Sequence, residues 1–239
     1  MQLVELSRSE HAGLRIREDL VEASAANQHL IPIVVSEFRK AATQYPIVFA
    51  KNPDTGRFGS YVLNGLNIAE NLFWSGTQMD VAYVPLNVRR QPFYVGTANE
   101  LCVDLDSPCL DGTGGKGIVN PDGSDSLYLT EILSVLNQLV AGQKTTERFI
   151  ATALSLDLLA PLMLDIVLED KTPLKVQGIY GVDEEKLRQL DGEEISRLWK
   201  SGWLDLIYSV LISMGQIYNL IRLKNQRISL SRAWHDNES

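Results

Sequence analysis

With 239 residues, 45% of them hydrophobic and 22% charged, the chain can bury a sizeable core and is too apolar for intrinsic disorder. Its formal net charge of -8 gives no positive field for a phosphate backbone, which excludes nucleic acid as an expected partner. Cys102 and Cys109, with His11, His29 and His235, supply neither a redox pair nor a thiolate and imidazole metal cage, so no metal and no cofactor is expected. The cysteines read instead as reduced thiols of a cytoplasmic protein. The opening M-Q-L-V-E-L-S-R-S-E lacks the basic-then-apolar order of a secretory signal. Residues 149–168, the longest apolar stretch, are interrupted by Asp157, Pro161 and Asp165, so no membrane span is expected there.

In chain order, Leu14 and Ile16 alternate with Arg15 and Arg17 as in a short half-exposed strand. Ser36 is expected to cap a helix carrying Phe38, Ala41 and Ala42, with Glu37 in the first turn where the helix dipole favours a negative charge. Pro46 ends that helix beyond Tyr45, and Ile47, Val48 and Phe49 begin a strand. The turn N-P-D-T-G at residues 52–56 returns it into a second strand at residues 59–66, a β-hairpin. Phe73 and Trp74 read as core.

Residues 81–106 concentrate the side chains with chemistry. Val81, Tyr83, Val88, Phe93 and Val95 favour an extended backbone, and Pro85 and Pro92 place it at a sheet edge. Beyond a short turn, Leu101, Val103 and Leu105 share one face of a second strand and Cys102, Asp104 and Asp106 the other. Arg89 and Arg90, if extended, point to opposite faces, so one of them at most meets Asp104 or Asp106 in a forked pair. An ion-paired structural role and a ligand-binding role both fit this constellation.

The glycine-rich stretch 107–125 contains a formal G-x-G-x-x-G from residue 112 to 117. Turn residues follow it where a dinucleotide site needs a helix, so it reads as a flexible loop or lid rather than a nucleotide cradle. Leu129, Ile132, Leu133, Leu136, Leu139 and Val140 form one helix that Gly142 is expected to close, and Thr145 opens an antiparallel partner through Phe149 and Leu154. Residues 164–180 form a second hairpin with a bulge at Gly178, and Asp183 and Asp191 cap short helices. The last long helix bears Leu204, Ile207, Leu211, Met214, Tyr218 and Ile221 at heptad spacing, a seam for the chain's own core or for a homodimer. Arg222, Lys224, Arg227 and Arg232 follow as cations near a helix end, and residues 229–239 read as a disordered tail after a single domain over 1–228.

Searches for a G-x-S-x-G elbow, an H-E-x-x-H pair or a kinase set find nothing. The order of motifs is informative nonetheless: H-x-x-L-R, E-F-R-K-A-A-T-Q-Y-P-I-V-F, N-L-F-W, Y-V-P-L-N-V-R-R-Q-P-F, V-D-L-D-S-P, L-D-I-V-L-E-D, Q-G-I-Y-G-V-D-E-E-K-L-R-Q-L-D and G-W-L-D-L-I-Y. In this order the chain resembles the SapC family, over roughly residues 10–225. The resemblance implies a link to surface-layer assembly or export. It also implies an accessory role in handling a peptide or imported compound, beside halogenase-like and cupin-like enzymes and TonB-dependent receptors encoded nearby. The family brings no established catalytic residues, and the positions that match its motifs are Glu37, Tyr45, Arg89, Arg90 and Asp104.

The expected fold is α+β, with mostly antiparallel sheet in the N-terminal half and helices around one further hairpin in the C-terminal half. The expected function is a non-enzymatic binding or accessory protein that receives a peptide, an acidic ligand or a partner protein, with Arg89, Arg90, Asp104, Asp106, Glu37 and Tyr45 as the expected binding residues. The alternative is an enzyme acting on peptides or small acids, with Asp104 or Glu37 as general base and Arg89 or Arg90 as carboxylate clamp.

Overall fold

A computed structural model of the chain describes residues 1–110 and 114–237. In chain order its first half contains β1 (Leu3–Glu5), β2 (Arg15–Ile16), α1 (Glu18–Val21), β3 (Leu30–Pro32), α2 (Phe38–Ala41), β4 (Ile47–Lys51) and β5 (Phe58–Leu63). There follow α3 (Leu86–Arg89), β6 (Phe93–Val95), β7 (Leu101–Asp104), β8 (Lys116–Gly117) and α4 (Leu127–Ser155). The remainder is β9 (Leu159–Val167), β10 (Pro173–Val182), α5 (Glu184–Gln189), α6 (Gly192–Lys200), α7 (Trp203–Ser213) and α8 (Ile217–Asn237). The protein is α+β, and every strand pairing among the described residues is antiparallel.

Backbone contacts divide the chain into two compact units. One consists of Asn27–Phe73, Val81–Tyr83 and Gly142–Ser239, and holds a five-stranded sheet in the order β3-β5-β4-β10-β9. The β4–β5 hairpin forms as the turn chemistry requires, with Asn52 Oδ1 accepting from the N–H groups of Asp54 at 3.0 Å and Thr55 at 2.8 Å. The β9–β10 hairpin carries its bulge at Gly178, whose φ of 81° few other residues tolerate. Because β10 also pairs with β4, this C-terminal hairpin extends the sheet begun in the N-terminal half. β9 is an edge strand, which explains why it starts at Leu159 and runs through Pro161 instead of beginning after it. The sheet packs on aromatic rings: Phe38 meets Phe149 edge-on at 5.8 Å, and Phe149 meets Trp203 at 5.7 Å. Asp183 and Asp191 cap α5 and α6 as expected.

Three local expectations are corrected. Ser36 caps nothing: a 3-10 turn starts at Val35, and it is the Glu37 carboxylate that reaches back to the Val34 N–H at 2.9 Å. Gly142 closes no helix, since α4 runs unbroken for 29 residues. The glycine is there for close packing, because a Cβ on it would lie 2.6 Å from Val34 Cγ2. The heptad seam is divided as well, with a 3-10 turn at Met214–Gln216 separating α7 from α8. Ile207, Val210, Ser213 and Leu220 face the core, while Tyr218 of the seam is exposed.

α8 continues through residues 229–237, the stretch whose low apolar content suggests a tail, and there Arg232 reaches Asp170 at 3.1 Å. The other late cations also have partners: Lys224 with Glu70 at 2.5 Å, and Arg227 with the Asn71 carbonyl at 2.6 Å. Among the described residues the stretch Trp203–Ala233, α7 and most of α8 joined by the 3-10 turn, is the one helical segment long and apolar enough to cross a membrane by length and composition.

The second unit comprises Met1–Ala26, Trp74–Asp80 and Val84–Ala141. It holds a three-stranded sheet, β1-β7-β6, and a two-stranded one, β2-β8, over a core of Ile16, Phe93, Val103, Ile118 and Leu129. Part of the 107–125 stretch is therefore ordered: β8 pairs with β2, and Ile118 is buried. Gly112 and Thr113 of the glycine-rich motif lie outside the described residues.

The expected edge strand through residues 81–92 is not formed. Pro85, with φ of -56°, opens one helical turn instead, and the Arg89 and Arg90 N–H groups donate to the Pro85 and Leu86 carbonyls at 3.1 and 3.0 Å. The apolar pair Leu86 and Val88 fits one turn as well as a strand over so short a length, so periodicity alone leaves the two undecided.

Candidate functional site

The helical turn α3 separates the fates of the two arginines. Arg90 folds back on its own segment. Its Nε donates to Asn87 Oδ1 at 2.9 Å, an Nη donates to the Phe93 carbonyl at 2.8 Å, and its guanidinium lies 4.0 Å above the Tyr94 ring. Burial lowers its pKa from the ordinary arginine value, and Tyr94 opposes that shift. Dipoles and a ring face thus surround this cation, and it holds the α3–β6 corner together. Arg89, one residue earlier, is exposed, and its side chain forms no hydrogen bond or ion pair among the described residues.

Arg89 borders a hollow of about 280 Å³ that lies wholly within the second unit. α1 and the 3-10 turn after it present Glu18 and Glu22, four residues apart, and one face of α4 presents Tyr128, Glu131 and Ile132. The three carboxylates are not equivalent. Glu18 is matched by Lys116 at 2.8 Å, and that bond raises the lysine pKa. One Glu22 oxygen accepts from the Met79 N–H at 2.7 Å. The Glu131 side chain makes no hydrogen bond or ion pair among the described residues.

Tyr128 is 8% exposed, and its hydroxyl has no hydrogen-bond partner among the described residues. Burial pushes the phenol pKa up, and the nearby Glu18 and Glu131 charges push it further. An unsatisfied buried hydroxyl of this kind costs about 1–3 kcal/mol, so the site carries a polar group that the chain itself leaves unmet.

The remaining candidate residues sit elsewhere. Glu37, 2% exposed, accepts from the Tyr83 hydroxyl at 2.9 Å, while the Tyr45 hydroxyl donates to the Tyr83 carbonyl at 2.7 Å. These two meet on Tyr83 and secure the 81–83 segment within the first unit. Asp104 accepts from the Gln2 N–H at 2.8 Å, and Asp106 pairs with the Met1 ammonium at 3.0 Å. The pairing of Arg89 or Arg90 with Asp104 or Asp106 is not formed, because the helical turn removes the strand geometry that would place them side by side.

Sequence reading missed Tyr128 and Glu131. Only the apolar stripe of this helix, from Leu129 to Val140, drew attention in the sequence, and neither residue belongs to it. The available signal was Tyr128, Glu131 and Ile132 at spacings of three and four on one helix. Among the described residues no group of His, Cys, Asp and Glu could hold a metal ion.

A family model described as SapC matches residues 6–220, a span that includes every residue of the hollow. No curated protein matches the chain, and no solved structure matches it.

Proposed function

Taking as premise that the chain belongs to the SapC family, we propose that it is a non-enzymatic binding or accessory protein whose Arg89-bearing hollow receives the acidic group of a small ligand or peptide. The observation that carries this reading is Arg89 itself, a guanidinium without a partner among the described residues at a hollow of about 280 Å³. A guanidinium in that position offers a forked donor pair to a carboxylate.

The enzyme alternative needs a general base. Glu37 is buried with its two oxygens accepting from Val34 and Tyr83, and Asp104 accepts backbone N–H groups, so both candidates are engaged in holding the fold. Those contacts favour binding over turnover. We place the protein in a peptide-handling, surface-layer or uptake system, beside a peptide-modifying enzyme, and in the cytoplasm. Its two free, buried cysteines support a reducing compartment.

Calorimetric titration of N-acetyl-leucine, a carboxylate on an apolar body, into the wild type and Arg89→Gln tests the reading, with mass spectrometry of the recovered probe. Wild type should bind, Arg89→Gln should bind at least about tenfold more weakly, and the probe should return unchanged. Equal binding by the two proteins, or conversion of the probe that Asp104→Asn abolishes, would refute it.

A further inference from the structure

The hollow carries two charges of opposite sign that have no hydrogen-bond or ion-pair partner among the described residues, and they do not pair with each other. Arg89 and Glu131 both line it, yet they stand farther apart than an ion pair. Glu18 is committed to Lys116, and Glu22 has one oxygen on the Met79 N–H, so Glu131 is the acid left over. Val21, Ile132 and Val135 line the same hollow with apolar surface.

Summed over Glu18, Glu22, Glu131, Arg89 and Lys116, the local charge is negative. A ligand that brought only a carboxylate would satisfy Arg89 but leave Glu131 unmet in a field that is negative overall, so it should bind more weakly than one that meets both charges. A ligand that brought only an ammonium would leave Arg89 unmet. Metal binding does not fit either, since the described residues contain no group of acids close enough to share a cation. The Tyr128 hydroxyl points the same way: it feels the Glu18 and Glu131 charges, and it lacks a partner. An N–H donor arriving at that rim would supply one. The hydroxyl is closed to solvent, so this contact requires a side-chain adjustment at the rim.

From these observations, and resting on the binding reading above, we infer that the hollow takes a small apolar zwitterion, its carboxylate on Arg89 and its ammonium on Glu131. At about 280 Å³ the space lies just under the ~300–1,000 Å³ of drug-sized sites, which suits one or two amino-acid residues. Free apolar amino acids and short apolar peptides share this chemistry.

The test is a calorimetric panel on the full chain: leucine, N-acetyl-leucine without the ammonium, leucinamide without the carboxylate, and the dipeptide leucyl-leucine. The better of leucine and leucyl-leucine should bind at least about tenfold more tightly than either blocked compound, and which of them is better separates amino acid from peptide. Glu131→Gln should erase the preference over N-acetyl-leucine, and Arg89→Gln the preference over leucinamide. Both side chains are exposed, so the variants should melt as wild type does. If N-acetyl-leucine binds in an Arg89-dependent way and neither zwitterion binds more tightly, the ammonium assignment is overturned while the Arg89 reading stands. If no probe binds, both are overturned.

Discussion

Replacing Gly142 by alanine sets helix propensity against packing. In the interior of a helix, alanine is favoured over glycine by about 0.8–1.0 kcal/mol, so by propensity alone Gly142→Ala should stabilise α4. The neighbour forbids it. A Cβ at residue 142 would lie 2.6 Å from Val34 Cγ2, 2.7 Å from Val34 Cβ and 3.1 Å from Val34 Cγ1. Val34 is buried and stiff at χ1, and its backbone is pinned by the 2.9 Å bond from its N–H to Glu37. Its neighbour Val35 is pinned too, donating at 3.0 Å to Thr146 Oγ1, which donates in turn to the Gly142 carbonyl at 2.8 Å. Overpacking at such a site costs about 1–3 kcal/mol, which leaves a net loss of about 1 kcal/mol after the propensity gain. Urea unfolding should show it as a lower midpoint at unchanged slope. In a Val34→Gly background all three obstructing carbons are gone, so the same Gly142→Ala change should become stabilising, with a coupling of about 1–3 kcal/mol between the two sites. If Gly142→Ala stabilises the wild type, or if the two effects simply add, the packing account of this glycine is wrong.

Arg90→Ala should cost about 1–3 kcal/mol by stranding the Phe93 carbonyl and the Tyr94 ring, whereas Arg89→Ala should stay within about 0.5 kcal/mol; thermal melts of the pair decide. Tyr128→Phe should raise stability by about 1 kcal/mol, since it deletes a buried hydroxyl with no partner, and a drop would reveal a partner for it. Burial holds the His29 pKa below the ordinary histidine value, so the folded state resists a proton that the unfolded state accepts. The resulting stability is present above the unfolded pKa of about 6.5 and is lost as pH falls toward the folded value; His29→Gln should flatten that limb of the melting curve, and an unchanged slope would exclude His29 as its source. Ile207→Ala, at a residue 1% exposed, should cost about 2–5 kcal/mol, while Ile212→Asp, at one 72% exposed, should stay near neutral. A large loss for Ile212→Asp together with slower sedimentation would show a second copy covering that face.

The parts of the fold legible in the sequence were those set by local chemistry. The N-P-D-T-G turn, the Gly178 bulge and the Asp183 and Asp191 caps each need particular residue types at fixed offsets, and each forms where those offsets place it. Where a signal was two-valued, the outcome depended on partners distant in sequence. Gly142 has the composition of a helix end, yet its role is set by Val34, which lies far away along the chain. Leu86 and Val88 suit a turn or a strand, and Pro85 together with the bonds back to its carbonyl decides for the turn. The site shows the same division. The adjacent arginines were visible as a concentration of charge, but which one the chain consumes follows from Asn87, Phe93 and Tyr94 around Arg90, not from the R-R pair. Tyr128 and Glu131 become site residues only because α4 places them beside Glu22 and Arg89.

The central claim, that one of two neighbouring guanidiniums is used by the fold and the other is left for a ligand, can be read directly by chemical modification. Phenylglyoxal labelling of the intact protein, mapped by mass spectrometry, should modify Arg89 well before Arg90, and leucine or leucyl-leucine should slow labelling at Arg89 alone. Equal labelling of the two residues, or an Arg89 rate that neither compound changes, would contradict the account.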